Sequence, residues 1–139
     1  MLWQRIRGQN MRFFYLAAAL IFASAAAQAQ QVDFSGNWSV VGDLSSRRGT
    51  IVFMSTCGLD QIGSQVSGTC EGQKSSCALT GVVKGNDIRW TCRTLTTDQP
   101  NLTGAFTFRG AVGNDHIVHG TWGHSRFARR RGYFFMVRV

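Results

Sequence analysis

The sequence predicts an all-β protein, an eight-stranded antiparallel up-and-down (meander) barrel that follows an N-terminal signal peptide. An apolar leader opens the chain, and a Gly36-Asn37-Trp38 motif follows it closely. The remainder consists of short segments rich in Val, Ile, Thr, Phe and Trp, separated by clusters of Gly, Asn, Asp and Ser, as is typical of strands and turns. No segment after the leader has the helical periodicity of the crossover helices that parallel strands need, so the sheet should be antiparallel.

Residues 1–29 have the features of a signal peptide. Basic residues precede a nearly unbroken apolar stretch from Phe13 to Ala27, and the small residues up to Ala29 match the cleavage rule. The alternative is a transmembrane anchor, but the stretch is shorter than the roughly 20 apolar residues that span a bilayer. We therefore expect a cleaved leader, with Met11 as a possible true start, and a periplasmic or secreted protein without stable membrane insertion.

Cleavage leaves residues 30–139, long enough for one domain with one core. Three arginines leave with the leader, so the formal net charge falls from +8 to +5, from 12 Lys and Arg against 7 Asp and Glu. Gly85-Asn86-Asp87 and Gly113-Asn114-Asp115 predict tight hairpin turns, because Gly and Asn tolerate positive φ. The eight candidate strands are Gly36–Val41, Thr50–Thr56, Gln65–Cys70, Ala78–Lys84, Asp87–Leu95, Leu102–Val112, His116–Gly123 and Gly132–Val139.

Alternation along the strands predicts which side chains face the barrel interior. Trp90 shares a face with Ile88 and Cys92, while the arginines on either side of it take the opposite face. Phe108 likewise shares a face with Phe106. The last candidate strand carries apolar residues on both faces, so its register stays open at this stage.

All four cysteines lie in the predicted domain, and export makes two disulfides the default expectation. Cys57, Cys70, Cys77 and Cys92 allow three pairings. We prefer Cys57–Cys70 with Cys77–Cys92, because each pair brackets one predicted hairpin. Zinc binding is the rival interpretation, but the paired C-x2-C spacing of many zinc sites is missing.

The opening Gly-x-Trp and the eight meandering strands resemble the calycin group, that is, lipocalins and avidin-like proteins. The avidin-like proteins are the nearer resemblance: Gly36-Asn37-Trp38 is similar to their first strand, Ser67-Gly68-Thr69 to the third, the segment 86–93 to the Trp-bearing fifth, and the segment 135–139 to the closing strand. The resemblance implies an eight-stranded barrel that holds one small ligand or is filled by its own side chains.

Three positions depart from the residues with which avidin-like proteins bind biotin. Val40 stands where the family has an Asn, and Cys70 stands where it has a Tyr, both of which meet the ureido group of biotin. Of the two tryptophans that form a wall of the family's site, only Trp122 is present. The resemblance thus supports the fold and argues against biotin as the ligand.

No catalytic or metal motif emerges. His116, His119 and His124 are the only histidines, and their spacings of three and five residues point neighbours to opposite faces of a strand. Ser, His and Asp are all present, but no Gly-x-Ser-x-Gly elbow supports a hydrolase triad. We therefore expect a protein that is not an enzyme and that uses no metal or other cofactor.

Two binding hypotheses follow. The first is a small ligand in or at the mouth of the barrel, contacted by Trp38, Trp90, Phe108 and Trp122, although such aromatic residues also commonly form a filled core. The second is a macromolecular interaction or inhibitor module that holds an anionic partner through the guanidinium groups of Arg126, Arg129, Arg130 and Arg131. Such a charge run is also commonly a solvated loop.

An outer-membrane barrel is a further alternative, because it too is an exported meander. Its strands need about 9–11 residues and an apolar outer band. Most candidate strands here are shorter, and Arg89, Arg93 and Arg109 would have to face the lumen. The sequence therefore favours a soluble barrel whose partner is a small molecule or an anionic macromolecule.

Overall fold

A computed structural model describes residues 30–46, 49–98, 103–126 and 129–139. The predicted signal peptide, including Met11, lies outside the described residues. These ranges contain no helix that is long and apolar enough to cross a membrane.

The chain forms a closed barrel of eight antiparallel strands in meander order, which confirms the predicted fold class. Each strand pairs with the next one along the chain, and the last pairs with the first, where Trp38–Gly42 lies beside Phe134–Arg138. The strands are β1 (Gly36–Ser46), β2 (Gly49–Ile62), β3 (Gln65–Gly72), β4 (Ser75–Lys84), β5 (Asp87–Thr97), β6 (Ala105–Val112), β7 (Val118–His124) and β8 (Arg131–Arg138).

The first two strands are longer than predicted. β1 continues past Val41 to Ser46, and β2 continues past Thr56 to Ile62, although both extensions contain residues typical of turns. Both extensions are held by pairing between β1 and β2, since Gly42 pairs with Phe53 and Gly36 pairs with Leu59. Strand propensity is weak enough for such pairing to override it.

The two predicted hairpin turns have different lengths. Gly85 and Asn86 form a two-residue turn between β4 and β5, and Gly85 adopts the positive φ of 60° that favours glycine. The connection from β6 to β7 is longer than a tight turn, because its ladder ends at the Val112–Val118 pair. There the Asp115 carboxylate accepts a hydrogen bond from the backbone N–H of Ile117 at 3.0 Å, which holds the wider loop.

The predicted faces of the strands are confirmed. Trp90 and Phe108 point into the barrel, and Arg89 and Arg109 point outward. The register of β8 is now settled, with Phe134 and Met136 inside and Tyr133 and Phe135 outside. The strand-length argument against an outer-membrane barrel does not hold for β1, β2, β4 and β5, which have 10 to 14 residues each. The charged residues of the outer wall argue against an outer-membrane barrel instead, because such a barrel presents an apolar band to lipid.

One end of the barrel is closed by the segment that precedes β1. Phe34 is fully buried there, and its backbone N–H donates to the Gln61 side chain at 2.8 Å. Its carbonyl oxygen accepts a 2.8 Å hydrogen bond from the indole of Trp38. The turns at 63–64, 85–86 and 113–117 lie at this closed end, and the opposite ends of the strands form the other, open end.

Arg138 ties the closing segment to the last strand. Its guanidinium donates to the carbonyl oxygens of Asp33 and Ser35, each at 2.6 Å, and lies 4.7 Å from the ring centre of Trp38. A planar cation that both stacks on an indole and donates in two directions suits this geometry. The last strand, the first strand and the closing segment therefore meet at one side chain.

Both preferred disulfides, Cys57–Cys70 and Cys77–Cys92, are present. They join β2 to β3 and β4 to β5, and Cys70 and Cys77 are direct cross-strand partners between these pairs. Four consecutive strands thus carry neighbouring sulfur atoms. The two bonds are consistent with an oxidising extracellular or periplasmic environment.

Removal of either disulfide should destabilise the barrel. We expect Cys77→Ala/Cys92→Ala to lose about 3 kcal/mol of unfolding free energy, the chain-entropy value for a loop of about 15 residues. Urea denaturation of the oxidised protein measures this loss. Cys57→Ala/Cys70→Ala should lose a similar amount, and a negligible loss in both variants would contradict a stabilising role for these bonds.

Truncation of Phe34 tests the closing segment. Phe34→Ala leaves a cavity beneath the segment and should lower the unfolding free energy by about 3–5 kcal/mol, the usual range for a buried phenylalanine. Ile62→Ala is the matched control, because Ile62 lies at the same end but is 84% exposed. Equal effects of the two substitutions in thermal or urea unfolding would refute the closing role of Phe34.

Candidate ligand-binding cavity

The open half of the barrel contains a cavity of about 660 Å³. Residues from β1 to β7, together with the connection between β3 and β4 and Arg130 just before β8, line it. The closed half is filled by apolar side chains that include Phe34, Leu79, Val118 and Met136. The barrel is therefore solid at one end and hollow at the other.

The lining of the cavity is unusual in that both disulfides contribute to it. All four cysteines line the cavity, together with Val40 and Trp90. The sulfur atoms of Cys70, Cys77 and Cys92 lie within 4.8 Å of one another. These sulfurs are in disulfides, whereas zinc is bound by thiolates, so the described geometry offers zinc no ligand set in this oxidised form.

Stacked and edge-on rings form one wall. The rings of Trp90 and Phe108 are parallel within 3°, with centres 4.7 Å apart. Phe134 meets both edge-on, at 5.1 and 5.3 Å. Such offset and edge contacts are the preferred arrangements of aromatic rings, so the wall is rigid before any ligand enters.

A second group of rings completes the wall nearer the mouth. Phe53 meets Trp122 edge-on at 5.3 Å, and Phe106 lies 6.0 Å from Trp122. The Trp122 indole donates to the carbonyl oxygen of Asp43 at 3.0 Å, so its polar atom has a partner in the barrel wall. Phe53 fits only because Gly42 lies opposite, where any side chain would overlap the phenyl ring.

Three of the four predicted ligand-contact residues line the cavity. These are Trp90, Phe108 and Trp122. Trp38 is not among the lining residues, because it lies under Arg138 near the closed end. Phe106, which alternation places on the same face as Phe108, also lines the cavity. Phe53 lines it too and was not predicted, although alternation from Cys57 back along β2 places Phe53 on the inward face.

The charged groups that line the cavity are both positive. Lys74 and Arg130 contribute to the lining, and none of the described carboxylates does. Lys74 pairs with Asp98 at 3.6 Å, but both side chains are more than half exposed, and such surface pairs contribute little. The mouth therefore offers positive charge to whatever enters an otherwise apolar space.

The predicted arginine patch divides in two. Arg130 is half-buried and lines the cavity, whereas Arg126, Arg129 and Arg131 are exposed on the connection to β8 and at its start. The four residues thus share one end of the barrel but face different surroundings. The sequence indicated their proximity and could not separate the inward residue from the outward ones.

His124 is a buried polar residue beside this patch. Its ring meets Phe106 edge-on at 4.6 Å, and its Nδ1 accepts a hydrogen bond from the backbone N–H of Arg126 at 3.1 Å. Burial lowers the pKa of this imidazole, and the charges of Arg130 and Arg126 lower it further, against an opposing hydrogen bond with the Thr103 backbone. The neutral ring is therefore the favoured form in the folded protein.

The other two histidines lie at the closed end, where the β6–β7 connection meets β7. His119 contacts the Asp115 carboxylate at 3.0 Å, and the two side chains are 59% and 50% exposed. His116 adopts a φ of 61° in the turn. The structure thus keeps His124 apart from the other two and assembles no three-histidine site among the described residues.

The chain was compared with protein-family models and with curated proteins, and neither comparison gave a match.

Acidification should destabilise the protein through His124. The folded-state pKa of His124 lies below the ordinary value of 6.5, so the unfolded chain takes up this proton first. The stability that depends on neutral His124 is present above pH 6.5 and is lost as the pH falls through the folded pKa. Urea denaturation across this window should show the decline in the wild type and a flatter profile in His124→Gln.

His119→Gln is the control for that comparison, because it also removes one imidazole but from an exposed pair at the other end. It should keep the wild-type decline. Identical pH profiles for the wild type and His124→Gln would contradict the role assigned to His124. The carboxylates with lowered pKa values, Asp33 and Asp115, titrate in more acidic solution, below 3.8.

Proposed function

We propose that the protein is an exported, non-enzymatic carrier that binds one small ligand with an apolar body and an anionic end group. The observation that carries this proposal is the cavity in the open half of the barrel. Its volume of about 660 Å³ lies within the range of about 300–1,000 Å³ that is usual for small-molecule sites. A barrel packed throughout by its own side chains would have offered no such space.

The walls favour an apolar body. Five aromatic residues and two disulfides surround the space, so most of its lining is apolar. The walls are already held by ring-to-ring contacts, so a ligand would pay little to order them. Burial of its apolar surface would supply the main part of the binding free energy.

The mouth favours a negative end group. Arg130 and Lys74 supply the charge of the lining, and Lys74 has a described carboxylate, Asp98, as an ion-pair partner at 3.6 Å. A guanidinium suits a carboxylate through two parallel hydrogen bonds. An amphipathic ligand would therefore enter with its apolar part among the aromatic rings and its charge retained beside Arg130.

The resemblance to avidin-like proteins supports this proposal only through the architecture of the barrel. The eight-stranded closed barrel is compatible with a calycin. Val40 contributes an apolar side chain to the cavity, and Cys70 is held in a disulfide. Neither can form the polar contacts that the family makes with the ureido group of biotin, so the proposed ligand is not biotin.

The interaction-module hypothesis remains a second candidate. It is favoured by the exposed arginines 126, 129 and 131, which lie outside the cavity. Under the carrier proposal the inward Arg130 serves the ligand, and the outward arginines remain available for another anionic surface. The two hypotheses therefore assign different residues and can be tested separately.

Decanoate and decanol form a matched pair of test ligands, because they differ only in the end group. We expect both to change the tryptophan fluorescence, with tighter binding of decanoate. Arg130→Gln should weaken decanoate about tenfold, the effect of losing one charge-assisted hydrogen bond of about 1.5 kcal/mol, and should leave decanol unchanged. The neighbouring Arg129→Gln removes the same charge outside the cavity and should leave both affinities near wild type.

A second variant locates the binding inside the barrel. Phe106→Ala removes a wall ring and should weaken both ligands, whereas Ile62→Ala at the closed end should weaken neither. If neither ligand binds, the carrier proposal is wrong. If both bind equally well and Arg130→Gln changes nothing, the apolar site stands and the anionic end group is refuted.

A further inference from the structure

The charges of the barrel are segregated along its axis. Among the described residues, the half of the barrel nearer the open end contains six cations and three carboxylates, and the half nearer the closed end contains four of each. The positive excess therefore belongs to the end that carries the cavity mouth. The six cations are Lys74, Arg93, Arg126, Arg129, Arg130 and Arg131, and the three carboxylates are Asp43, Glu71 and Asp98.

Exposed apolar side chains accompany these cations. Val52 and Met54 at the start of β2 are 61% and 64% exposed, and both also border the cavity. Leu95 near the end of β5 is 60% exposed. The open end thus presents arginines and apolar side chains around one opening, and this combination is what an interfacial membrane-binding surface requires.

We propose that the open end docks reversibly on a bilayer that contains anionic phospholipid, with the cavity mouth against the lipid. Arg126, Arg129 and Arg131 contact the phosphate groups, and Val52, Met54 and Leu95 enter the boundary between headgroups and acyl chains. This surface is defined by Arg126, Arg129, Arg131, Val52, Met54 and Leu95, and we call it the docking rim. The proposal goes beyond ligand binding, since the empty barrel would dock as well.

A lipid surface is favoured over a soluble polyanion by the apolar members of the rim. Arginines alone would suit any phosphate, sulfate or carboxylate polymer. Val52, Met54 and Leu95 gain nothing from such a polymer but are stabilised at a membrane interface. Docking through the open end also places the cavity mouth against the bilayer. An apolar ligand could then pass between the cavity and the bilayer without crossing water.

Sedimentation with lipid vesicles tests the docking rim. The ligand-free wild type should bind mixed phosphatidylglycerol–phosphatidylcholine vesicles, bind less as salt is raised, and show little binding to pure phosphatidylcholine. Arg129→Gln/Arg131→Gln should weaken the partition coefficient about 30-fold, which corresponds to about 1 kcal/mol for each arginine near an anionic surface. Neither residue lines the cavity, so decanoate binding should persist.

Arg89→Gln/Arg109→Gln is the matched control, because it removes two exposed arginines from the outer wall in the closed-end half. It should retain most of the vesicle binding. Met54→Asn should weaken docking, whereas Ile62→Asn at the closed end should not. Equal losses in the two arginine variants would overturn the proposal, since binding would then follow net charge alone.

Two further outcomes would also overturn it. The first is the absence of binding to anionic vesicles. The second is binding of heparin, a soluble polyanion, with the same affinity as the vesicles and with no effect of Met54→Asn, which would assign this end to a polysaccharide partner. Failure of the carrier proposal has a different signature, because it appears in the decanoate and decanol measurements without vesicles.

Discussion

The architecture depends on the contact of Arg138 with the segment before β1. This single guanidinium donates to two carbonyl oxygens of that segment and covers Trp38, so it holds together the first strand, the last strand and the buried Phe34. The barrel is closed at this end because these groups fill it. No corresponding segment crosses the other end among the described residues, and the space that remains there is the candidate site. The difference between the filled end and the hollow end of the barrel follows from this arrangement.

Much of the fold could be predicted because its determinants are local. Alternation assigned Trp90 to the interior and Arg89 to the exterior, and the bracketing of hairpins selected the correct cysteine pairs. The extensions of β1 and β2 could not be predicted in this way. Gly42 and Gly58 resemble turn residues in the sequence, and only their pairing partners on the neighbouring strand make them part of the ladder. The Gly113 turn was predicted too short for a related reason, since Asp115 supports a wider loop than its Gly-Asn neighbours indicate.

The candidate site was predictable only in part. The inward aromatic residues of β5 to β7 followed from alternation, but whether they fill the barrel or line a space depends on packing between strands far apart in the sequence. Trp38 shows this limit, because its motif marks the first strand and says nothing of the depth at which the ring lies. The burial of His124 could not be predicted either. Its burial beside Arg130 arises from the connection of two strands, and no local pattern reveals it.

The position of Arg138 has a practical consequence for attaching labels. Residues 33–35 and the end of the last strand meet at the closed end, within hydrogen-bond distance of each other, so both lie on the side opposite the mouth. A dye, a surface tether or a fused protein joined at either terminus of this domain would leave the cavity uncovered. The same proximity makes the barrel a natural candidate for circular permutation, with the old ends joined by a short linker across the closed face.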